Sequence, residues 1–271
     1  MRTYSIRILK HNIFLSIFVY FFVSISVFGL LLSGADGIFI TLDSYEDEII
    51  ETPSEDVIEP IDFSGLNYLA FGDSITEGGN LDSVEESYPN VAGKILGCKV
   101  INKAVGGSTY VRDPEKPIRH CIAEDVISMS KTSGRYHIIS VAGGVNDQSL
   151  GLPLGTINDT TTDTIYGSLN IIAETLTERY PDAFIFFITP IKYPESEIDN
   201  NKGYNLYNVS IAVKNVASKY GLPVLDLYKT SQFETAPNGM NHPECDGWHP
   251  LKEFVEEYMA PQVAEFIKDN Y

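Results

Sequence analysis

The chain has 271 residues, of which 44% are hydrophobic, so it can bury the core of one domain of ordinary size. This composition excludes a protein that is disordered throughout. The formal net charge of -18 at pH 7 argues against a nucleic-acid partner, because neutralising phosphates needs clustered Lys and Arg, and the 19 in this chain are scattered.

The N-terminus has the pattern of a membrane anchor. Residues 1–12 are basic, with Arg2, Arg7 and Lys10, and residues 13–33 follow without a charge. A run of about 20 apolar residues spans a bilayer as one helix. Its length favours an uncleaved signal anchor over a signal peptide, with the basic segment in the cytoplasm and the rest of the chain outside. Cleavage would instead give a secreted protein.

Residues 34–64 are predicted to be an acidic linker. Between Asp43 and Asp62 the sequence has many carboxylates and no Lys or Arg, with Pro53 and Pro60 among them. Such a segment has too little apolar content to order itself. The globular domain is therefore expected over residues 65–271.

Within that domain, apolar runs of strand length alternate with helical stretches. Strands are predicted at 68–71, 99–102, 137–142, 183–189 and 223–227, and helices at 88–96, 122–130, 164–180, 204–220 and 251–269. Because parallel strands need helical crossovers, the alternation predicts a three-layer α/β/α sandwich around a five-stranded, mainly parallel sheet.

Glycine-rich polar segments follow three of the predicted strands, and a fourth polar segment precedes the last helix. Ligands of open parallel sheets gather at the carboxyl ends of the strands, so these segments are the candidate site. Each one alone is explained equally well as a helix cap or a turn. In chain order they are Gly72-Asp73-Ser74, Gly106-Gly107-Ser108-Thr109, Gly143-Gly144-Val145-Asn146-Asp147 and Asp246-Gly247-Trp248-His249-Pro250.

Together, and in this order, the four segments resemble the motif blocks of the SGNH hydrolase superfamily, the GDSL-like lipases and esterases. The resemblance implies a flavodoxin-like strand order and a serine esterase that needs no metal or cofactor. It implies Ser74 as nucleophile, His249 as base and Asp246 as the acid that orients it. It also implies three oxyanion donors, namely the backbone N-H groups of Ser74 and Gly107 and the side-chain amide of Asn146.

The placement outside a membrane suggests short-chain acyl esters, above all O-acetyl groups, on extracellular carbohydrate. A lipid-directed esterase or lysophospholipase, or an acyltransferase, would use the same triad. The loops at 110–120 and 193–204, which contain Tyr and Arg, are expected to border the pocket.

Two other hypotheses about the function remain open, a metal site and a binding module without catalysis. A zinc site is conceivable because His242, Cys245, Asp246 and His249 are potential ligands, although their spacing fits no usual structural zinc pattern. A surface module that binds glycans without catalysis could use the same cleft. The three cysteines, Cys98, Cys121 and Cys245, leave at least one thiol unpaired in a monomer, and spacing does not say which pair would bridge.

Overall fold

A computed structural model describes residues 61–129 and 134–271. The predicted basic segment, membrane anchor and most of the acidic linker lie outside these residues. Among the helices that the structure describes, none is both long and apolar enough to cross a membrane. The strands are β1 (Asn67–Phe71), β2 (Lys99–Asn102), β3 (Ile138–Ala142), β4 (Phe184–Ile188) and β5 (Val224–Leu225). The helices are α1 (Ser74–Glu77), α2 (Tyr88–Leu96), α3 (Ile122–Ser128), α4 (Val145–Leu150), α5 (Ile165–Arg179), α6 (Leu206–Lys219), α7 (Leu227–Thr230), α8 (Lys252–Phe254) and α9 (Ala260–Asn270).

The five strands form one parallel sheet in the order β2-β1-β3-β4-β5. This is the flavodoxin-like order, and it confirms the predicted sheet. The chain leaves β1 towards one edge and, after β2, crosses back and continues towards the other edge. Right-handed crossovers therefore put α2 on one face of the sheet and α3, α5 and α6 on the other.

Both faces of the sheet are covered, which explains the almost wholly apolar strands. All five residues of β3 are buried. On the face where α9 packs against α2, Phe186 lies between Tyr68 and Phe266, with ring centroids 6.4 and 5.3 Å away. The core thus holds the strand ends rigidly at the edge where the polar segments emerge.

Two predicted elements differ from the structure for local reasons. The helix predicted over 251–269 is divided into α8, a π-helical turn at Val255–Met259, and α9. Pro261, in the first turn of α9, has no N-H to donate and crowds the preceding turn, so the regular hydrogen-bond pattern shifts there. The strand predicted over 223–227 is only Val224–Leu225, since it pairs with β4 alone and Leu227 already begins α7.

Candidate active site

A chain of two side-chain hydrogen bonds joins three of the predicted residues. Asp246 Oδ2 lies 2.7 Å from His249 Nδ1, and His249 Nε2 lies 2.9 Å from Ser74 Oγ. The serine and the histidine are 175 positions apart in the sequence. The fold therefore brings together the hydroxyl, the imidazole and the carboxylate that the sequence predicted.

The Asp246 carboxylate is held by its own turn. Its Oδ1 accepts hydrogen bonds from the backbone N-H groups of Trp248 and His249, both at 2.8 Å, while Oδ2 faces the imidazole. Partial burial by itself would raise the pKa of Asp246, but the hydrogen bonds from His249 and the two amides outweigh it and lower the pKa to about 2. This carboxylate is ionised across the physiological range and fixes the orientation of the imidazole.

Ser74 is the first residue of α1, immediately after β1 and Gly72-Asp73. Asp73 caps the helix, because its Oδ1 accepts from the backbone N-H of Ile75 at 3.1 Å. Its Oδ2 is buried, and among the described residues it has no hydrogen-bond partner. Burial raises the pKa of Asp73 to about 6, against the lowering effect of the Ile75 amide and of His249. Asp73 therefore stabilises the turn at Ser74, and it makes no hydrogen bond to the imidazole.

The turn after α1 brings the Ser74 segment against the His249 imidazole. The backbone N-H of Gly79 donates to the Ser74 carbonyl at 2.7 Å. A Cβ atom added at Gly79 would lie 2.8 Å from His249 Cδ2 and 3.2 Å from the Ser74 carbonyl oxygen. Only a residue without a side chain fits between them, and the sequence analysis had given this glycine no role.

Gly107 and Asn146, the other two predicted oxyanion donors, line the same cleft as Ser74. Gly107 has φ of +76°, a left-handed conformation that glycine adopts without strain. One N-H of the Asn146 amide donates to the Ser108 carbonyl at 2.9 Å, which ties the first turn of α4 to the loop after β2. The amide group carries a second N-H, as an oxyanion donor requires.

A second set of contacts, which the sequence analysis missed, holds the Gly107 loop. The Arg119 guanidinium donates to the Gly107 carbonyl at 2.8 Å and pairs with the buried Asp113 carboxylate at 3.3 Å. Fully buried Asp147 accepts from the backbone N-H groups of Tyr110 and Val111 at 2.9 and 3.0 Å. No local sequence signal identifies Arg119, because its partner is 12 residues away across a turn.

Burial raises the pKa of Asp147 to about 7, although the two amides act in the opposite direction. Its main-chain carbonyl also accepts from the Tyr204 hydroxyl at 3.1 Å. The two loops that carry Gly107 and Asn146 are thus fastened to each other at several points. These contacts fix the predicted donors in place, and preorganised donors are the condition for effective oxyanion stabilisation.

The cleft has a volume of about 380 Å³ and opens to solvent at Trp248 and Ser149. Besides the triad hydroxyl and imidazole it is lined by the apolar side chains of Ile75 and Val145. The expectation that the loops at 110–120 and 193–204 border the pocket is wrong, because none of their residues lines the cleft. Tyr110, Tyr193 and Tyr204 are all buried in the core, and Trp248 is the aromatic residue in the cleft.

The residues of the alternative zinc site do not converge. Cys245 Sγ lies 3.4 Å from the His249 carbonyl oxygen, and His242 Nδ1 accepts from the Glu244 backbone N-H. Within residues 61–129 and 134–271, no group of three or more His, Cys, Asp or Glu side chains is arranged to hold a metal ion. The three thiols, Cys98, Cys121 and Cys245, are all free.

The doubly wound sheet carries the Ser-His-Asp array at its carboxyl edge, where ligands of such sheets bind, and the same three side chains occur together in serine hydrolases. A sequence profile of the GDSL-like lipase/acylhydrolase family matches residues 70–253. The chain therefore belongs to this family, which lies within the SGNH hydrolase superfamily, and it is a hydrolase. No curated protein matches the chain by sequence.

Several solved structures share the fold. A protein from Lactobacillus plantarum is 23% identical, with a TM-score of 0.64 over 77% of this chain and 99% of that one. A possible lipase from Chitinophaga pinensis is also 23% identical, with a TM-score of 0.58 over 75% and 98%. The aryl esterase of M. smegmatis is 18% identical, with a TM-score of 0.54 over 76% and 100%.

Proposed function

We propose that this protein is a serine esterase that removes short acyl groups, chiefly O-acetyl, from carbohydrate outside the cell. The observation that carries the proposal is the unbroken hydrogen-bonded chain from Asp246 through His249 to Ser74. The uncharged segment 13–33 supports a membrane anchor that keeps residues 65–271 on the outer side. A hydrolase with a surface-facing cleft suits a polymeric substrate that does not enter the cell.

The reaction follows from the positions of these groups. His249 Nε2 accepts the Ser74 hydroxyl proton as Oγ attacks the ester carbonyl, and the carbonyl oxygen becomes an oxyanion. The N-H groups of Ser74 and Gly107 and the Asn146 amide stabilise it, each worth about a hundredfold or more in rate. Collapse breaks the bond to the alcohol oxygen, which takes the proton from His249.

The acyl group is then bound to Ser74 Oγ as an ester. His249 takes a proton from a water molecule, the resulting hydroxide attacks the acyl carbon, and a second oxyanion forms in the same place. Its collapse releases the carboxylic acid and returns the proton to Ser74. Throughout, ionised Asp246 stabilises the imidazolium that exists between the two proton transfers.

The size of the site supports a short acyl group. Ile75 and Val145 line the cleft beside Ser74 and also line a neighbouring cavity of only about 20 Å³. That cavity holds about one water molecule, so it cannot bury a long acyl chain, which would have to lie in the open cleft. An enzyme directed at long-chain lipids would need a longer apolar channel.

The test is hydrolysis of a series of aryl esters with acyl chains of two to twelve carbons by the full-length protein and two variants. Ser74→Ala and His249→Ala should each lower kcat by at least about a thousandfold, since the residual rate comes only from the oxyanion donors and binding. Acetyl and propionyl esters should be the best substrates. Undiminished turnover in either variant would refute the mechanism, and a preference for long chains would refute the substrate class.

A further inference from the structure

The chain has one tryptophan, Trp248, and it lies in the active-site cleft. Its side chain is partly solvent-exposed, with 38% of the residue surface accessible. Behind it lies the ring of Tyr193, with centroids 4.9 Å apart and an angle of 55° between the planes. Tyr193 is only 4% exposed, so it is a buried support and leaves Trp248 as the accessible ring.

Trp248 is held rigidly next to the base. Its backbone N-H donates to the same Asp246 oxygen that accepts from the backbone N-H of His249. The carboxylate that orients the imidazole therefore also fixes the tryptophan. Because Trp248 directly precedes His249, its backbone cannot move relative to Ser74 without disturbing the imidazole.

The direction of proton transfer determines which part of an ester lies near Trp248. The imidazole must protonate the departing alcohol oxygen, so the alcohol portion lies on the His249 side of the reacting carbon. The oxyanion points to the opposite side, towards Gly107 and Asn146. Trp248 is next to the general acid in the sequence and lines the same open cleft, so it faces the alcohol portion of the substrate.

We infer that Trp248 is the platform on which a sugar ring lies while its acetyl ester is cleaved at Ser74. This inference rests on the proposed function and names the recognised part of the substrate, the pyranose ring of the alcohol. An exposed flat ring beside the leaving-group oxygen suits the apolar C-H face of a pyranose. The hydroxyl of exposed Ser149, also in the cleft lining, offers a hydrogen-bond partner for the sugar's own hydroxyls.

The single tryptophan makes direct observation of binding simple. In the full-length Ser74→Ala variant, all tryptophan emission comes from Trp248, so titration with an acetylated xylo-oligosaccharide should give a saturable change in intensity and wavelength. Lysophosphatidylcholine below its micellar concentration serves as the lipid comparison and should give no saturable change. Absence of a saturable change with the oligosaccharide, or a change with the lipid alone, overturns the proposal.

Kinetics test the same inference without relying on fluorescence. The measured quantity is the ratio of kcat/KM for the acetylated xylo-oligosaccharide to kcat/KM for ethyl acetate, whose alcohol has no ring. Trp248→Ala should lower this ratio about tenfold, mainly through KM for the oligosaccharide, because the apolar face is lost. Trp248→Tyr, which keeps an aromatic face, should restore most of the ratio.

Tyr207→Ala is the matched control, because Tyr207 is an exposed aromatic residue on α6 that is not part of the cleft lining. It should leave the ratio at the wild-type value. An unchanged ratio in Trp248→Ala, or an equal fall in Tyr207→Ala, overturns the assignment. Hydrolysis of ethyl acetate by the wild-type protein tests the esterase function separately. Binding of the oligosaccharide to Ser74→Ala needs no turnover. The esterase function and the role of Trp248 can therefore fail independently.

Discussion

Two aspartates lie close in the sequence to Ser74 and His249, and the fold shifts their pKa values in opposite directions. Asp73 directly precedes Ser74 in the sequence, is 2% exposed, and has a pKa raised by burial to about 6. Asp246 lies three residues before His249, its side chain is 40% exposed, and hydrogen bonds lower its pKa to about 2. Proximity to Ser74 in the sequence therefore does not decide which carboxylate contacts the His249 imidazole.

The difference arises from the number of donors that each carboxylate meets. The side chain of Asp246 accepts from two backbone amides and faces the imidazole, so its charged form is stabilised despite partial burial. Asp73 accepts from one amide, and its second oxygen is buried without a partner among the described residues. The surroundings of Asp246 stabilise a charged carboxylate, and Asp73 caps the turn at the start of α1.

Replacing Asp246 is the strongest test of this contrast. Asp246→Asn should lower kcat for a short aryl ester by about three to four orders of magnitude, because an amide cannot hold the imidazole in the tautomer that accepts the Ser74 proton. Asp73→Asn should lower kcat by less than about tenfold, since its side-chain oxygen still accepts from Ile75. The measurement is steady-state turnover of both variants at pH 7.5, with circular dichroism to show that they are folded. Equal losses in the two variants would mean that Asp73 shares the role of Asp246.

The same contrast predicts opposite effects of pH on stability. Asp73 has a pKa near 6 in the folded protein and about 4 in the unfolded chain, so between these values the folded state binds more protons. The contribution of Asp73 to the free energy of unfolding therefore falls as pH rises from about 4 to 6, by about 2 to 3 kcal/mol. Asp246 acts in the other direction, because its stabilising contribution is present above about pH 4 and is lost as pH falls towards 2.

Urea unfolding of the wild-type protein and Asp73→Asn between pH 4 and 6.5 measures the first effect. As pH rises across this range, the free energy of unfolding of the variant should increase relative to that of the wild-type protein by about 2 to 3 kcal/mol. The reason is that the neutral amide has no charge to bury. Asp147 is present in both proteins, but the Asp73 charge contributes to its raised pKa, so the difference also contains the loss of that repulsion. Parallel stability curves would show that Asp73 does not titrate in this window.

The sequence predicted the features of this site that depend on local pattern. The alternation of strands and helices predicts the sheet, and short polar segments after strands are enough to predict that Ser74, Gly107 and Asn146 lie at one cleft. Arg119, Gly79 and Trp248 were missed because their roles come from contacts between separate segments. The short helix α4 and the π-helical turn before Pro261 were missed as well, since a single helical turn leaves no periodic pattern to detect.

Gly79 lies where the Ser74 segment and the His249 ring approach each other, and its replacement is the mildest test of the distance between Ser74 and His249. In Gly79→Ala the new methyl group would lie 2.8 Å from His249 Cδ2, and the backbone of Ser74 on its other side leaves it no room to move away. The imidazole must therefore shift by a few tenths of an ångström from Ser74 Oγ, and we expect kcat to fall about tenfold with little change in KM. Gly221→Ala is the control, because a Cβ there meets nothing within 4 Å while φ of +67° still strains the backbone. That variant should lose about 1 kcal/mol of stability and keep its kcat, so a similar loss of kcat in both variants would assign the Gly79 effect to general destabilisation instead of a displaced base.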